Sequence, residues 1–149
     1  MNDLNELYQE VILDHNKSPR NFKKIANPTF KIEGFNPLCG DRFEFEFEIQ
    51  NNKIIEVGFS GHGCAISKAS ASMMTVSIKG QTIEFAKNLF EKMRDVFTGK
   101  NINPDFGEFE NLATLSGVSE FPARVKCASL PWHTMLAALN GKQINISTE

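Results

Sequence analysis

The 149-residue sequence predicts an α+β fold: an N-terminal helix, a three-stranded antiparallel sheet, then packed helices. Three observations carry this. Apolar residues recur at helical spacing at the start, strict alternation takes over from residue 42 to residue 59, and helical periodicity returns after Gly63. With 41% apolar content, no internal repeat and no low-complexity linker, residues 1–149 are expected to form a single domain around one core.

Leu4, Leu7, Tyr8, Val11 and Ile12 make one helical stripe, Asp3 and Glu6 are spaced as a capping pair, and Pro19 lies beyond the end. Residues 29–34 are expected to be a short first strand. Over residues 42–49, Phe43, Phe45, Phe47 and Ile49 alternate with Glu44, Glu46 and Glu48, which predicts a strand with one buried and one wet face. Asn51 and Asn52 tolerate positive φ, so a tight turn leads into a third strand carrying Ile55, Val57 and Phe59 inward. A helix is predicted over residues 64–79, where Ala65, Ala69 and Ala71 allow close packing before Gly80 stops it. A second follows the stripe Ile83, Ala86, Phe90, Met93 and Phe97 up to Gly99. Residues 100–107 read as a loop and 109–115 as a short helix before Gly117. The last helix is expected from residue 127 or 128 to 139, closed by Asn140 and Gly141, with Pro131 confined to its first turn.

A formal charge of −2 and no cluster of Lys and Arg exclude the usual electrostatic footprint of a nucleic-acid protein. Residues 1–11 carry Asp3, Glu6 and Glu10 and lack the basic start and apolar run of a signal peptide, so a cytoplasmic location is expected. No apolar run approaches the roughly 18 residues of a membrane span. Three cysteines cannot all pair within one chain, and in a reducing compartment they persist as thiols.

These cysteines fall at element ends: Cys39 before the second strand, Cys64 after the third, Cys127 at the start of the last helix. The hairpin brings Cys39 and Cys64 to one edge of the sheet, and Cys127 joins them if its helix packs there. Helix N-termini favour thiolates, so Cys64 and Cys127 are expected to ionise readily. Gly40, Gly61 and Gly63 are expected to leave the sulfurs exposed. Asp41, two residues after Cys39, shares its side in an extended stretch. Three thiolates and a carboxylate suit a tetrahedral zinc-type site, whereas Mg²⁺ and Ca²⁺ require more oxygen ligands. Such a site keeps negative charge, and Arg124 and Lys126 are the cations placed to offset it. No Cys-x-x-Cys pair is present, so the spacing matches neither a zinc ribbon nor a thioredoxin motif.

Three motifs follow in order: Asn36-Pro37-Leu38-Cys39-Gly40-Asp41, Gly61-His62-Gly63-Cys64-Ala65-Ile66-Ser67, and Phe121-Pro122-Ala123-Arg124-Val125-Lys126-Cys127. With Leu7-Tyr8, His15, Pro19-Arg20-Asn21 and Trp132-His133 around them, they closely resemble the SufU branch of the U-type iron–sulfur cluster assembly family. The resemblance implies a SufE/IscU-like U-type fold and zinc held by Cys39, Asp41, Cys64 and Cys127. It also implies sulfur acceptance from a SufS-type cysteine desulfurase, with the persulfide on Cys39, Arg124 as the basic residue near the site, and delivery to downstream assembly proteins or apo-acceptors. Lys126 stands where the IscU branch has a histidine, and the stretch 80–121 is extended. Both departures are typical of SufU and favour sulfur transfer.

The same donors suit a second reading, a scaffold that assembles iron or a transient [2Fe–2S] cluster on Cys39, Cys64 and Cys127. A structural zinc adaptor would hold the metal and take up no sulfur. Whether a carrier of this kind counts as an enzyme, a zinc-dependent sulfurtransferase, stays open. A Cys–His hydrolase pairing Cys64 with His62 or His133 is disfavoured, because nothing in the sequence orients the base. His15 and His133 read as packing or surface residues, and Met73, Met74 and Trp132 as core or contact surface. His62 and Pro131 are given no role.

Overall fold

Phenylalanine alternating with glutamate builds the centre of the sheet. Strand β2 (Asp41–Gln50) pairs antiparallel with β1 (Phe30–Asn36) on one side and with β3 (Lys53–His62) on the other. The structure is a computed structural model that describes residues 3–101, 105–141 and 146–147, without the side chains of residues 3–8, 120 and 146–147. The Leu4, Leu7 and Tyr8 stripe and the Asp3–Glu6 cap lie outside the described side chains, although the backbone of α1 runs Asp3–Lys17. A fourth strand, β4 (Ile146–Ser147), lies parallel to β1 opposite Gly34 and Phe35 and makes the order β3-β2-β1-β4. Two residues are too short to carry an alternation, so the sequence reading stopped at three strands.

Phe43, Phe45 and Phe47 are fully buried, and Phe59 stacks on its cross-strand partner Phe45 with ring centroids 5.6 Å apart. Burial of each such ring contributes about 1.5–3 kcal/mol. Asn51 and Asn52 make the tight turn at φ 51° and 62°, as their residue types suggest. A register irregularity between Glu48 and Ile49 changes which residues of β3 point inward. Ile54 is therefore buried and Ile55 exposed, against the expected Ile55, Val57, Phe59 face. Glu46 also departs from the wet face. The segment after α1 folds over it, and its carboxylate accepts the Ile25 N–H at 2.9 Å with Lys31 Nζ 3.7 Å away.

The remaining elements are α2 (Ala65–Ile78), α3 (Ile83–Phe97), a 3-10 stretch over Gly107–Glu120 with a break at Phe109, and α4 (Pro122–Leu139). Helix α2 is the central one, in contact with α1, α4 and β3. Its small residues permit close packing, and its hydroxyls are paired within the core. Ser70 accepts the Trp132 indole N–H at 3.0 Å and donates to the Ala128 carbonyl at 2.6 Å, tying α2 to α4. On the other side of α4, a Cβ at Gly34 would lie 2.2 Å from Thr134 Oγ1, so only glycine lets β1 and α4 approach this closely. These two contacts fix the helix that carries Cys127. No helix among the described residues is long and apolar enough to cross a membrane.

Helix α4 starts earlier than expected, with Pro122 in its first turn, and it passes through Cys127 to Leu139. Pro131 consequently lies deep inside the helix, not in its first turn. It has no N–H to give the carbonyl of Cys127, which removes one rung of the ladder directly after that cysteine. The short helix expected over residues 109–115 is part of the longer 3-10 stretch.

Candidate metal centre

The first motif forms a tight turn between β1 and β2. Asn36, fully buried, holds it by accepting the Leu38 N–H on Oδ1 at 3.2 Å and the Gly40 N–H on its carbonyl at 2.8 Å. Gly40 has φ 73°, a conformation that costs other residues strain. Cys39 is thereby raised on the turn while Asp41 opens β2 opposite Asn36. Their proximity comes from this turn rather than from a shared face of an extended strand. Across the sheet Arg42 pairs with His62, so the end of β3 delivers Cys64 to the same edge, as the hairpin requires.

Cys64 is the N-cap of α2, its sulfur accepting the Ser67 N–H at 3.4 Å. Its own N–H donates to Asp41 Oδ1 at 2.8 Å, and its sulfur lies 3.9 Å from Asp41 Oδ2. A Cβ at Gly63 would come within 2.7 Å of Asp41 Oδ1, Phe43 Cε2 and Ser67 Oγ, so the chain passes here only as glycine. From α4, Cys127 brings its sulfur to 3.2 Å from that of Cys39. Ligand atoms of Cys39, Asp41 and Cys127 all lie within 4.8 Å of one another.

The three sulfurs differ in environment. Cys39 is exposed, Cys64 half-buried and Cys127 buried, so the expectation of exposed thiols holds for Cys39 alone. Cys127 also departs from the expected easy ionisation. It sits in the second turn of α4, past the N-terminal dipole, and burial pushes its thiol far up, reinforced by Cys39, Cys64 and Asp41 beside it. Asp41 is fully buried, and among the described residues no Lys, Arg or His forms an ion pair with it. A buried carboxylate facing sulfurs without a cation is costly by itself and suits a thiophilic divalent ion. The donor set therefore fits zinc.

The sequence model of the NifU-like N-terminal domain matches residues 7–128. The chain belongs to that family. Among relatives of this NifU-like chain, the zinc-dependent sulfurtransferase SufU of Bacillus subtilis is 42% identical over 135 residues, 89% of each chain. The iron–sulfur cluster assembly scaffold protein IscU of Streptococcus pyogenes is 34% identical, covering 93% of this chain and 86% of that one. A solved SufU structure from Fervidobacterium islandicum, described as an iron–sulfur cluster assembly scaffold protein for the SUF system, superposes with a TM-score of 0.79. It is 36% identical and covers 90% of this chain and 97% of that one. The U-type fold and the SufU-like resemblance read from the motifs are borne out.

Other residues singled out in this NifU-like sequence fall in three groups. Arg124 is exposed, one turn before Cys127, with its guanidinium 4.7 Å from the centre of the Phe121 ring; Lys126 is half-buried. Neither reaches Asp41 as an ion-pair partner. His62 is exposed, His15 is buried with Nδ1 2.8 Å from Ser72 Oγ, and the His133 and Phe90 rings meet in a T-shaped pair. Among the described residues no hydrogen bond joins a histidine to a cysteine, which leaves the hydrolase reading without a base. Met73, Met74 and Trp132 are core residues.

Two residues of the motifs carry site contacts to which the sequence alone assigned no role. Asn36 points its amide N–H at Cys127 Sγ, 3.6 Å away, and Ser67 lies 3.5 Å from Cys64 Sγ. Asn36 had a usable signal, as an Asn opening a turn that contains Pro and Gly. Ser67 had one too, three residues after a helix cap.

Proposed function

We propose that this chain accepts sulfane sulfur on Cys39 from a cysteine desulfurase in the cytoplasm and passes it on for iron–sulfur cluster synthesis. The single observation that supports this most is the asymmetry of the thiols: Cys39 alone is exposed, on a turn, above a buried Cys127 and a buried Asp41. Cys39, Asp41, Cys64 and Cys127 would hold zinc, which when bound keeps thiols ionised and protected from oxidation. The Cys39 thiolate attacks the outer sulfur of the partner's persulfide. A bond forms to Cys39 Sγ, the partner's S–S bond breaks, and the partner cysteine departs as thiolate. Arg124, exposed at the start of α4, supplies positive charge beside a site that carries anionic sulfur. The residues 1–149 act as one unit in this reading. The zinc-dependent sulfurtransferase relative supports it by name and by 42% identity.

The test is desulfurase turnover of cysteine with and without this chain. Cys39→Ala is expected to abolish the stimulation and Arg124→Ala to weaken it. Full stimulation by Cys39→Ala would refute the acceptor role. A second reading, a scaffold that builds a [2Fe–2S] cluster as cargo on the same donors, is supported by the IscU relatives. Anaerobic reconstitution separates the two, because a scaffold yields a coloured, transferable cluster.

A further inference from the structure

We propose that Cys127 is a resolving thiol: it attacks the persulfide carried on Cys39, releases the sulfur as hydrogen sulfide, and leaves a Cys39–Cys127 disulfide. The inference rests on the reading of Cys39 as sulfur acceptor. Its basis is the 3.2 Å between the two sulfurs together with their opposite exposure, Cys39 facing solvent and Cys127 3% exposed.

Displacement at sulfur proceeds through a mixed intermediate in which nucleophile, attacked sulfur and leaving group fall nearly in line. Cys127 approaches Cys39 from the protein side. Because Cys39 is the exposed member of the pair, open space for the second sulfur of a Cys39 persulfide lies on the solvent side, where attack on the inner sulfur would send the leaving group. Asn36 Nδ2, 3.6 Å from Cys127 Sγ, donates toward that sulfur and holds it facing Cys39; burial disfavours a free thiolate there, so the Cys127 proton leaves as its sulfur attacks. Cys64 lies beside Cys127 with its sulfur against Asp41 and Ser67, and among the described residues no hydrogen bond joins its sulfur to that of Cys39.

The balance is complete. Cys39–S–SH and Cys127–SH become Cys39–S–S–Cys127 and hydrogen sulfide. The bond between the two Sγ atoms forms, the persulfide S–S bond breaks, and its electron pair leaves on the outer sulfur with the Cys127 proton. The sulfane sulfur is reduced by the electrons that the two thiols give up on becoming a disulfide. Hydrosulfide departs more readily than an alkyl thiolate, because its conjugate acid is the stronger one. A dithiol reductant then restores both thiols. The product is sulfide, the oxidation state that an iron–sulfur cluster contains.

The full chain, as purified and after chelation, is loaded with sulfur by a cysteine desulfurase and cysteine, desalted without reductant, and followed by sulfide release. Peptide mass spectrometry after alkylation locates the sulfur. The expected result is loss of the Cys39 persulfide matched by hydrogen sulfide and by a Cys39–Cys127 linked peptide. Cys127→Ser and Cys127→Ala, checked for folding by circular dichroism and compared per mole of Cys39 persulfide that each has taken up, are expected to release sulfide at least about tenfold more slowly than the unaltered chain. Three results overturn the inference: equal release by these variants, sulfur recovered as a persulfide on Cys127, or release by the unaltered chain without the linked peptide. Absence of sulfur from Cys39 in the unaltered chain refutes the acceptor reading itself.

Discussion

Asp41 is the residue on which the site's electrostatics turn. It is fully buried, receives one backbone N–H from Cys64, and has no basic partner among the described residues. Asp41→Asn keeps the shape and removes the charge. Competition against a chromophoric chelator should show zinc retention reduced by about 10- to 100-fold, the loss that even supporting residues of metal sites cause. The metal-free variant should be no less stable than the unaltered chain, because a buried carboxylate without a cation has been neutralised. Unchanged zinc affinity would remove Asp41 from the ligand set. At this scale the motif residues were legible because cysteine, glycine and aspartate at a turn carry their chemistry in their identity. The depth of Cys127 was not. It depends on a helix that Pro122 starts five residues earlier, and on the packing of Ser70 and Gly34 against α4.

Among the elements, α1 is held to the rest through a polar clasp that the periodicity did not reveal. His15 Nδ1 and the Arg20 N–H both meet Ser72 Oγ at 2.8 Å, and the Asn21 amide reaches Thr75 Oγ1 at 3.0 Å. Burial holds the His15 pKa below its ordinary 6.5, aided by the Arg20 charge and opposed by Asp14. Above about pH 6.5 the ring is neutral in folded and unfolded chains alike, so this contribution to stability is intact. As pH falls below that value the unfolded chain takes up a proton that the folded chain declines, and stability drops until the lower folded pKa is passed. Denaturant melts of metal-free protein between pH 7.5 and 5.5 should therefore show a smaller loss for His15→Asn, which keeps a hydrogen-bonding group and cannot titrate. Equal losses would mean that His15 does not feel this burial. Strand and helix existence was readable from periods of 2 and 3.6, and β2 came out nearly as read. What the pattern missed came from geometry that leaves no period: the register irregularity that exposes Ile55, the chain folded over Glu46, and the two-residue β4.

For the whole molecule, the hydrophobic cluster is built without the cysteines of the metal centre. Phe43, Phe45, Phe47, Phe59, Met73, Met93 and Trp132 are buried between the sheet and the helices, and the sulfur cluster sits at one edge of that sheet. Chelation should lower the melting temperature by the binding contribution while far-ultraviolet circular dichroism stays that of the folded chain. A structural zinc module would unfold instead, and that outcome would favour the adaptor reading. The same separation of core and site makes the cysteine variants interpretable. The most direct measurement of the central claim is to incubate the chain with a cysteine desulfurase and sulfur-labelled cysteine, cap the thiols, and map the label by peptide mass spectrometry. The account predicts label on Cys39 and its loss in Cys39→Ser; undiminished label elsewhere in Cys39→Ser would contradict it.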